Sequence, residues 1–186
     1  MTTTERGTRI HTNPDGTTVQ VPTDCKIGRG VTLGKFVVLG EKATLGDGCY
    51  VGKDCQIGPD AIVGKGVVLH ERVRLGRNVR IAGGAAVCYE AKLEDGVSVG
   101  GEAYIGSNTV IGSESKIESS VRIGNEVSLA KRSHIGYRSV IGDRAALLLE
   151  GTVIPEFTDI MRSAKVINLD MVDALVVIPK PPPPAH

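Results

Sequence analysis

The sequence predicts an all-β protein whose body is a three-sided parallel β-helix, and three observations predict it. From Ile27 to Val153 every sixth residue is Leu, Ile or Val, 22 positions in all. Two residues before each stands a small residue, from Cys25, Val31 and Val37 through to Gly151. The residue just after is Gly in 14 of the 22, as in CKIGRG, VTLGKF and SVIGDR. A fixed short period marks a solenoid, in which each unit buries its apolar face only against its neighbours.

The elements follow in chain order. Residues 1–24 are read as an N-terminal arm and hairpin cap. Residues alternate on either side of Asn13-Pro14-Asp15-Gly16, a strong turn signal, which predicts a hairpin over 9–21. Such a cap shields the unpaired strand edges that an open β-helix end exposes. Residues 25–156 are the helix itself. In each hexad two inward residues two apart make a short strand, the residue between points outward, and Gly with two polar followers makes the corner. The Gly after the aliphatic residue is assigned the positive φ of that corner. Three hexads close an 18-residue coil, giving seven coils and one extra side, a prism about 35 Å long at about 4.8 Å per coil. Residues 157–178 are read as a C-terminal cap. Pro155 ends the beat, Thr158 is placed as the N-cap of a short helix over 159–166, and INLDMVDALVVI over 167–178 is apolar enough to need burial. Residues 179–186 form a Pro-rich tail, Pro179 to Pro184 broken by Lys180, expected as extended polyproline II. That tail is a solvated spacer or a contact for another protein with a proline-binding groove.

Composition excludes several classes. A net charge of +1 supplies no bulk field for nucleic acid or a membrane surface. No 18-residue apolar run exists, and MTTTERGTR lacks a signal core, so a cytoplasmic protein is expected. Aromatic residues are 3% and Trp is absent, as suits a narrow interior of stacked aliphatics. Cys25, Cys49 and Cys55 take small inward slots on three different sides and read as buried thiols of a reducing compartment. Cys88 replaces a corner Gly and is expected to be exposed.

Wrapping the chain at 18 residues per coil pairs most corner arginines with acids. Arg72 falls between Asp54 and Glu90, Arg77 beside Asp95, Arg132 between Glu114 and Glu150, Arg138 beside Glu156, and Arg144 beside Glu126. These read as structural ladders, each worth a few tenths to about 1 kcal/mol. Arg74 and Lys92 stacked on one side, and Arg80, Lys116 and His134 in a column on another, are left as unpaired cations for an anionic ligand.

The outward residues distinguish the sides. The most apolar carries Thr32, Tyr50, Val68, Ala86, Tyr104, Arg122 and Val140. A strip of that length exceeds what a soluble monomer normally exposes, so it is expected to be covered.

The hexads of 25–156 resemble the hexapeptide-repeat family, whose fold is a left-handed parallel β-helix. Handedness is implied by the resemblance. The family's enzymes are typically homotrimers of parallel prisms with sites in the clefts between them, and many are acyltransferases. A histidine base there deprotonates an amine or hydroxyl that takes an acyl group from coenzyme A or acyl carrier protein. VVLHERVRLGRNVRIAGG resembles in texture the repeats around the active histidine of UDP-N-acetylglucosamine acyltransferases. There the histidine stands two places after the aliphatic residue, whereas His70 stands one place after Leu69. No loop interrupts these repeats.

The resemblance implies His70, with His134 second, as catalytic candidates, and no tightly bound cofactor. The acyl donor would be acyl-CoA or acyl carrier protein, and the acceptor a small molecule, including a sugar nucleotide. Corner Gly is missing at His70, Ala82, Cys88 and Glu94, four of five consecutive corners, and such departures are where function is expected. The structural alternative is repeat drift, with His tolerated at positive φ. Arg74, Lys92, Tyr50, Tyr104 and Cys88 complete the candidate binding set. A zinc site like that of the γ-class carbonic anhydrases, which share the fold, is not expected, because His70 and His134 lie 64 residues apart on different sides. A non-catalytic trimeric scaffold or ligand-binding module is the competing reading.

Overall fold

The computed structural model describes residues 7–166, all strand and turn. β1 (Thr8–Thr12) and β2 (Thr18–Pro22) pair antiparallel around the expected turn. Two-residue strands then run from β3 (Lys26–Ile27) to β26 (Lys165–Val166) in three parallel sheets of eight strands, each strand pairing with the third one along. The first sheet opens on β3, the second on β4 (Thr32–Leu33) and the third on β5 (Val38–Leu39). The result is a left-handed β-helix of eight coils.

Alternation of burial follows the hexad. Large inward residues such as Ile105, Ile111 and Ile117 are fully buried, while outward partners such as Tyr104, Val110 and Lys116 are exposed. The small inward slot is polar in several coils, and its hydroxyl is satisfied by a corner carbonyl of the next coil. Thr109 Oγ1 donates to the Gly124 carbonyl at 2.8 Å and Ser139 Oγ to that of Pro155 at 2.7 Å. The thiols of Cys49 and Cys55 make the same bond, to Gly64 and His70, each at 2.9 Å. These cysteines are donors as well as small apolar fillers, and burial pushes the Cys55 thiol up to about 11.

The corner differs from its expected form. Positive φ falls three residues after the aliphatic residue, at Gly30, Phe36, Lys42, Gly48, Asp54 and onward, not on the Gly that follows it. That Gly answers a different demand. At Gly106 a Cβ would stand 2.3 Å from the Gly124 carbonyl oxygen, and at Gly40 it would stand 2.4 Å from the Pro59 nitrogen. The next coil passes too close for a side chain. His70, Ala82, Cys88 and Glu94 therefore do not occupy left-handed backbone; Arg72, Gly84, Glu90 and Gly96 do.

The C-terminal expectation is also corrected. No helix forms over 159–166, where β25 (Asp159–Ile160) and β26 extend the prism. Thr158 sits buried in a small slot and is not a helix cap. One residue is inserted after Leu147, so Thr152 takes the small slot assigned to Gly151. Ile154 is buried and Val153 is 56% exposed. The slip is fixed by ladder bonds, His134 N–H to the Thr152 carbonyl at 2.7 Å and Val140 N–H to that of Thr158 at 2.8 Å. Of the cap expected over 157–178, residues 167–178 lie outside the described residues, as does the tail of 179–186.

Among the ladders, Arg72 pairs with Glu90 at 2.9 Å and stacks over the Tyr89 ring, Arg132 pairs with Glu150, and Arg144 reaches Glu126 at 3.9 Å. Arg77 makes no guanidinium pair among the described residues; its backbone N–H donates to Asp95 Oδ1 at 2.8 Å. Arg29 on Asp47 and Asn125 on Asp143 repeat that bond. The slip removes Glu156 from Arg138, whose guanidinium lies over the Tyr137 ring instead.

The corner makes opposite demands at its two ends. Gly106→Ala is expected to lower unfolding free energy by about 3 kcal/mol through the backbone clash. Ser120→Gly, at φ 57°, should leave the melting temperature unchanged or raise it. Denaturant unfolding of both variants checks the assignment.

Candidate functional site

The outward ladder of the third sheet brings Gln56, Arg74, Lys92 and Val110 into register on adjacent coils. Two open grooves flank it. One, of about 780 Å³, runs between the ladder and the following corner and is lined by Arg74, Arg77, Lys92, Glu94 and Ser113. The other, of about 620 Å³, lies on the preceding slope and adds Arg72, Glu90 and Asn108. Arg74 and Lys92 are thus brought together as expected, at the centre of both grooves. Lys92 is not unpaired, however, since its Nζ meets Glu94 Oε1 at 3.0 Å. Arg74 has no ion pair or hydrogen bond from its side chain among the described residues.

His70 follows β10 (Val68–Leu69) at the corner between the second and third sheets. Its backbone is fixed on both sides, N–H to the Val87 carbonyl at 2.8 Å and carbonyl to the Cys55 thiol. The imidazole is exposed, lines neither groove, and has no hydrogen-bond partner among the described residues. Cys88, one coil on, is 9% exposed, so the expectation of an exposed thiol is corrected. It lies beside Tyr104, whose phenol is pushed up by the Cys88 thiol and by partial burial. Tyr50 and Tyr104 share the second sheet but are separated by Val68 and Ala86, so they do not converge.

His134 lies on the first sheet, half-buried, with Nε2 2.9 Å from Glu118 Oε1. Lys116 Nζ reaches the same oxygen at 3.0 Å. Both were expected to be unpaired, and both meet one acid standing where most corners have Gly. Hydrogen bonds from His134 first, then Lys116, hold the Glu118 carboxyl below its ordinary range. Arg80, which stands in the same column, makes no such pair among the described residues. No group of three or more His, Cys, Asp or Glu among the described residues could hold a metal ion.

The residues that sequence reasoning missed are Gln56 and Ser113, and Glu94 was noted only as a missing corner Gly. The first shares the 18-residue column of Arg74, a signal that was readable. Glu94 pairs along its own strand, two residues from Lys92, and accepts the Ser113 N–H at 3.2 Å.

A lowered carboxylate contributes stability above its unfolded pKa and loses it as pH falls through the folded value. Glu118→Gln is therefore expected to melt slightly below wild type at neutral pH. The difference should close below the carboxylate range, which melting curves across an acid titration would show.

Residues 24–55 and 52–88 match the family model described as bacterial transferase hexapeptide (six repeats). No curated protein sequence matches the chain. Among solved structures it resembles the UDP-N-acetylglucosamine acyltransferase of Francisella novicida, at 20% identity and TM-score 0.68, over 83% of this chain and 66% of that one. The Bacteroides fragilis enzyme of the same name aligns at 20% identity and TM-score 0.54, over 75% and 68%. The Moraxella catarrhalis O-acyltransferase aligns at 12% and 0.52, over 78% and 66%. The chain thus spans about two thirds of their length, just under it for the first and third. No helix among the described residues is long and apolar enough to cross a membrane. The six-residue repeat matched over 24–88 continues through the coils beyond it, and the chain has the left-handed parallel β-helix fold.

Proposed function

We propose that the protein is an acyltransferase. It would move an acyl group from coenzyme A or acyl carrier protein to an amine or hydroxyl of a small acceptor, with a sugar nucleotide the favoured class. The carrying observation is an uncommitted imidazole, His70, at the corner between the apolar second side and a third side whose Arg74 guanidinium is unpaired. Both residues fall inside the region matched by the transferase family model.

In this reading the neutral imidazole takes the acceptor's proton as its oxygen or nitrogen attacks the thioester carbonyl. Collapse of the tetrahedral adduct expels the donor thiolate, which receives that proton from the imidazolium. Arg74, with Lys92 beside it, holds the donor's anionic groups. Tyr104 and the buried Cys88 form the wall next to His70, and Tyr50 extends the same side. A homotrimer of parallel prisms supplies the cleft. The hairpin stands beside Tyr50, so the flat stretch open to a partner begins at Val68 and runs through Ala86 and Tyr104. The four cysteines are free thiols, in keeping with a cytoplasmic setting.

One observation favours a non-catalytic scaffold instead. From β3 to β26 the strands are joined by bare corners, with a single inserted residue and no loop to enclose a substrate.

Two measurements decide between these readings. His70→Ala is expected to cut thioester-dependent transfer at least about 100-fold while melting is unchanged. Unchanged turnover, or no acyl-CoA or acyl carrier protein bound by the wild type, would leave the scaffold. Light scattering at micromolar concentration should give three times the chain mass, and Ala86→Arg should reduce it to the monomer.

A further inference from the structure

A third groove, of about 600 Å³, lies at the N-terminal end, where the hairpin turn meets the first two coils of the second sheet. It contains neither His70 nor Arg74 and shares only Tyr50 with the transfer site proposed above. Two aromatic rings flank it, Phe36 at 78% exposure and Tyr50 at 45%. Phe36 is costly as placed: its ring faces water at a corner that, among the described residues, otherwise carries Gly, a polar residue or Phe157. Phe157 is the only other aromatic residue at such a position among the described residues, at φ 55°, and it packs edge-on against Tyr137 at 5.7 Å. Phe36 has no ring partner of that kind among the described residues. Gly takes the equivalent corner at Gly30, Gly48 and Gly66 without strain. A large apolar ring left in water, at a corner where nearly every other side chain is polar, points to a ligand.

The polar lining narrows the ligand class. Asp15 uses Oδ1 to accept the Thr17 N–H and hydroxyl, which leaves Oδ2 open. The hydroxyls of Thr18 and Thr32 and the ammonium of Lys35 have no partner among the described residues. One acid and one base cancel, so the groove carries no net charge to hold a phosphate. It offers mixed donors and acceptors around an aromatic wall, the usual build of a specific small-molecule site. A pyranose matches both parts, with a C–H face for the rings and hydroxyls around its edge.

We propose that this groove is a saccharide-binding site, in which Phe36 and Tyr50 take the C–H face of a pyranose and Asp15, Thr18, Thr32 and Lys35 bond its hydroxyls. The test is titration of the full ¹⁵N-labelled chain with N-acetylglucosamine, glucose and maltose, followed by amide shifts and saturation transfer. Shifts confined to the hairpin turn, the 32–36 segment and Tyr50 are expected for at least one sugar. Phe36→Gly relieves the backbone, so it should weaken binding at least tenfold while the melting temperature holds or rises. Tyr50→Ala should weaken it similarly. The proposal is overturned if no sugar shifts the groove amides at tens of millimolar, or if Phe36→Gly binds as wild type does. It is equally overturned if a free Pro-Lys-Pro-Pro-Pro-Pro peptide shifts the groove and the sugars do not.

Discussion

Every coil rests on the one before through backbone hydrogen bonds made at nearly constant spacing, and that vertical contact governs the rest. Gly28 N–H reaches the Leu45 carbonyl at 2.8 Å, Gly46 that of Val63 at 2.7 Å and Gly64 that of Ile81 at 2.7 Å. Strands so stacked leave about 4.8 Å between successive backbones. At most corners the chain turns where the coil above would lie within contact of a Cβ, so crowding favours Gly just after the strand, while His70, Ala82, Cys88, Glu94, Glu118 and Ala130 depart from it. Three residues on, the chain must turn with left-handed backbone, and there Asp, Glu, Arg and Asn are tolerated because their side chains point to solvent. The interior obeys the same spacing. Large residues alternate with small slots whose hydroxyls and thiols return a bond to the coil above, and among the described residues no buried side-chain nitrogen or oxygen lacks a partner.

The surface is ordered by the same repeat but by weaker forces. Charges meet across coils, as Arg72 meets Glu90, or along one strand, as Lys92 meets Glu94 and Lys116 meets Glu118. All these side chains keep substantial solvent contact, so each pair contributes no more than about 1 kcal/mol. They matter more for what they remove. Paired with Glu94, Lys92 cannot offer a full charge to a ligand, which leaves Arg74 as the distinctive cation of the third side.

The fold was legible because its signal is repeated at every hexad, and one ambiguous residue cannot disturb it. What the sequence hid lay where the repeat offered two equivalent answers. Val153 and Ile154 are adjacent aliphatics and either satisfies the pattern; only the ladder to His134 selects the second. The segment after Pro155 reads as a helix start by local chemistry, yet Thr158-Asp159-Ile160 repeats small, outward, large, and stacking on Val140 and Ile141 prevails. The site was harder still. Column counting finds neighbours 18 residues apart and so gave Arg74 beside Lys92, but it is blind to Glu94 two residues away. Whether Cys88 is covered depends on how Tyr104 of the next coil leans, which no spacing encodes. His70 was found as an irregularity of the repeat, and the structure leaves its ring exposed.

The Asn13 side chain bears on how the molecule is made. Its amide donates to the Leu33 carbonyl and accepts the Leu33 N–H, both at 2.8 Å, standing in for a strand that precedes the first coil. The residues that form this false strand leave the ribosome before any coil does. Each later coil then closes a loop of similar length on an edge already in place, so the entropy cost per step stays level however long the prism grows. Winding can proceed in the direction of synthesis, one turn behind the exit tunnel, without waiting for the distant C-terminus. The hairpin thus gives the first coil of the second sheet an edge to pair on.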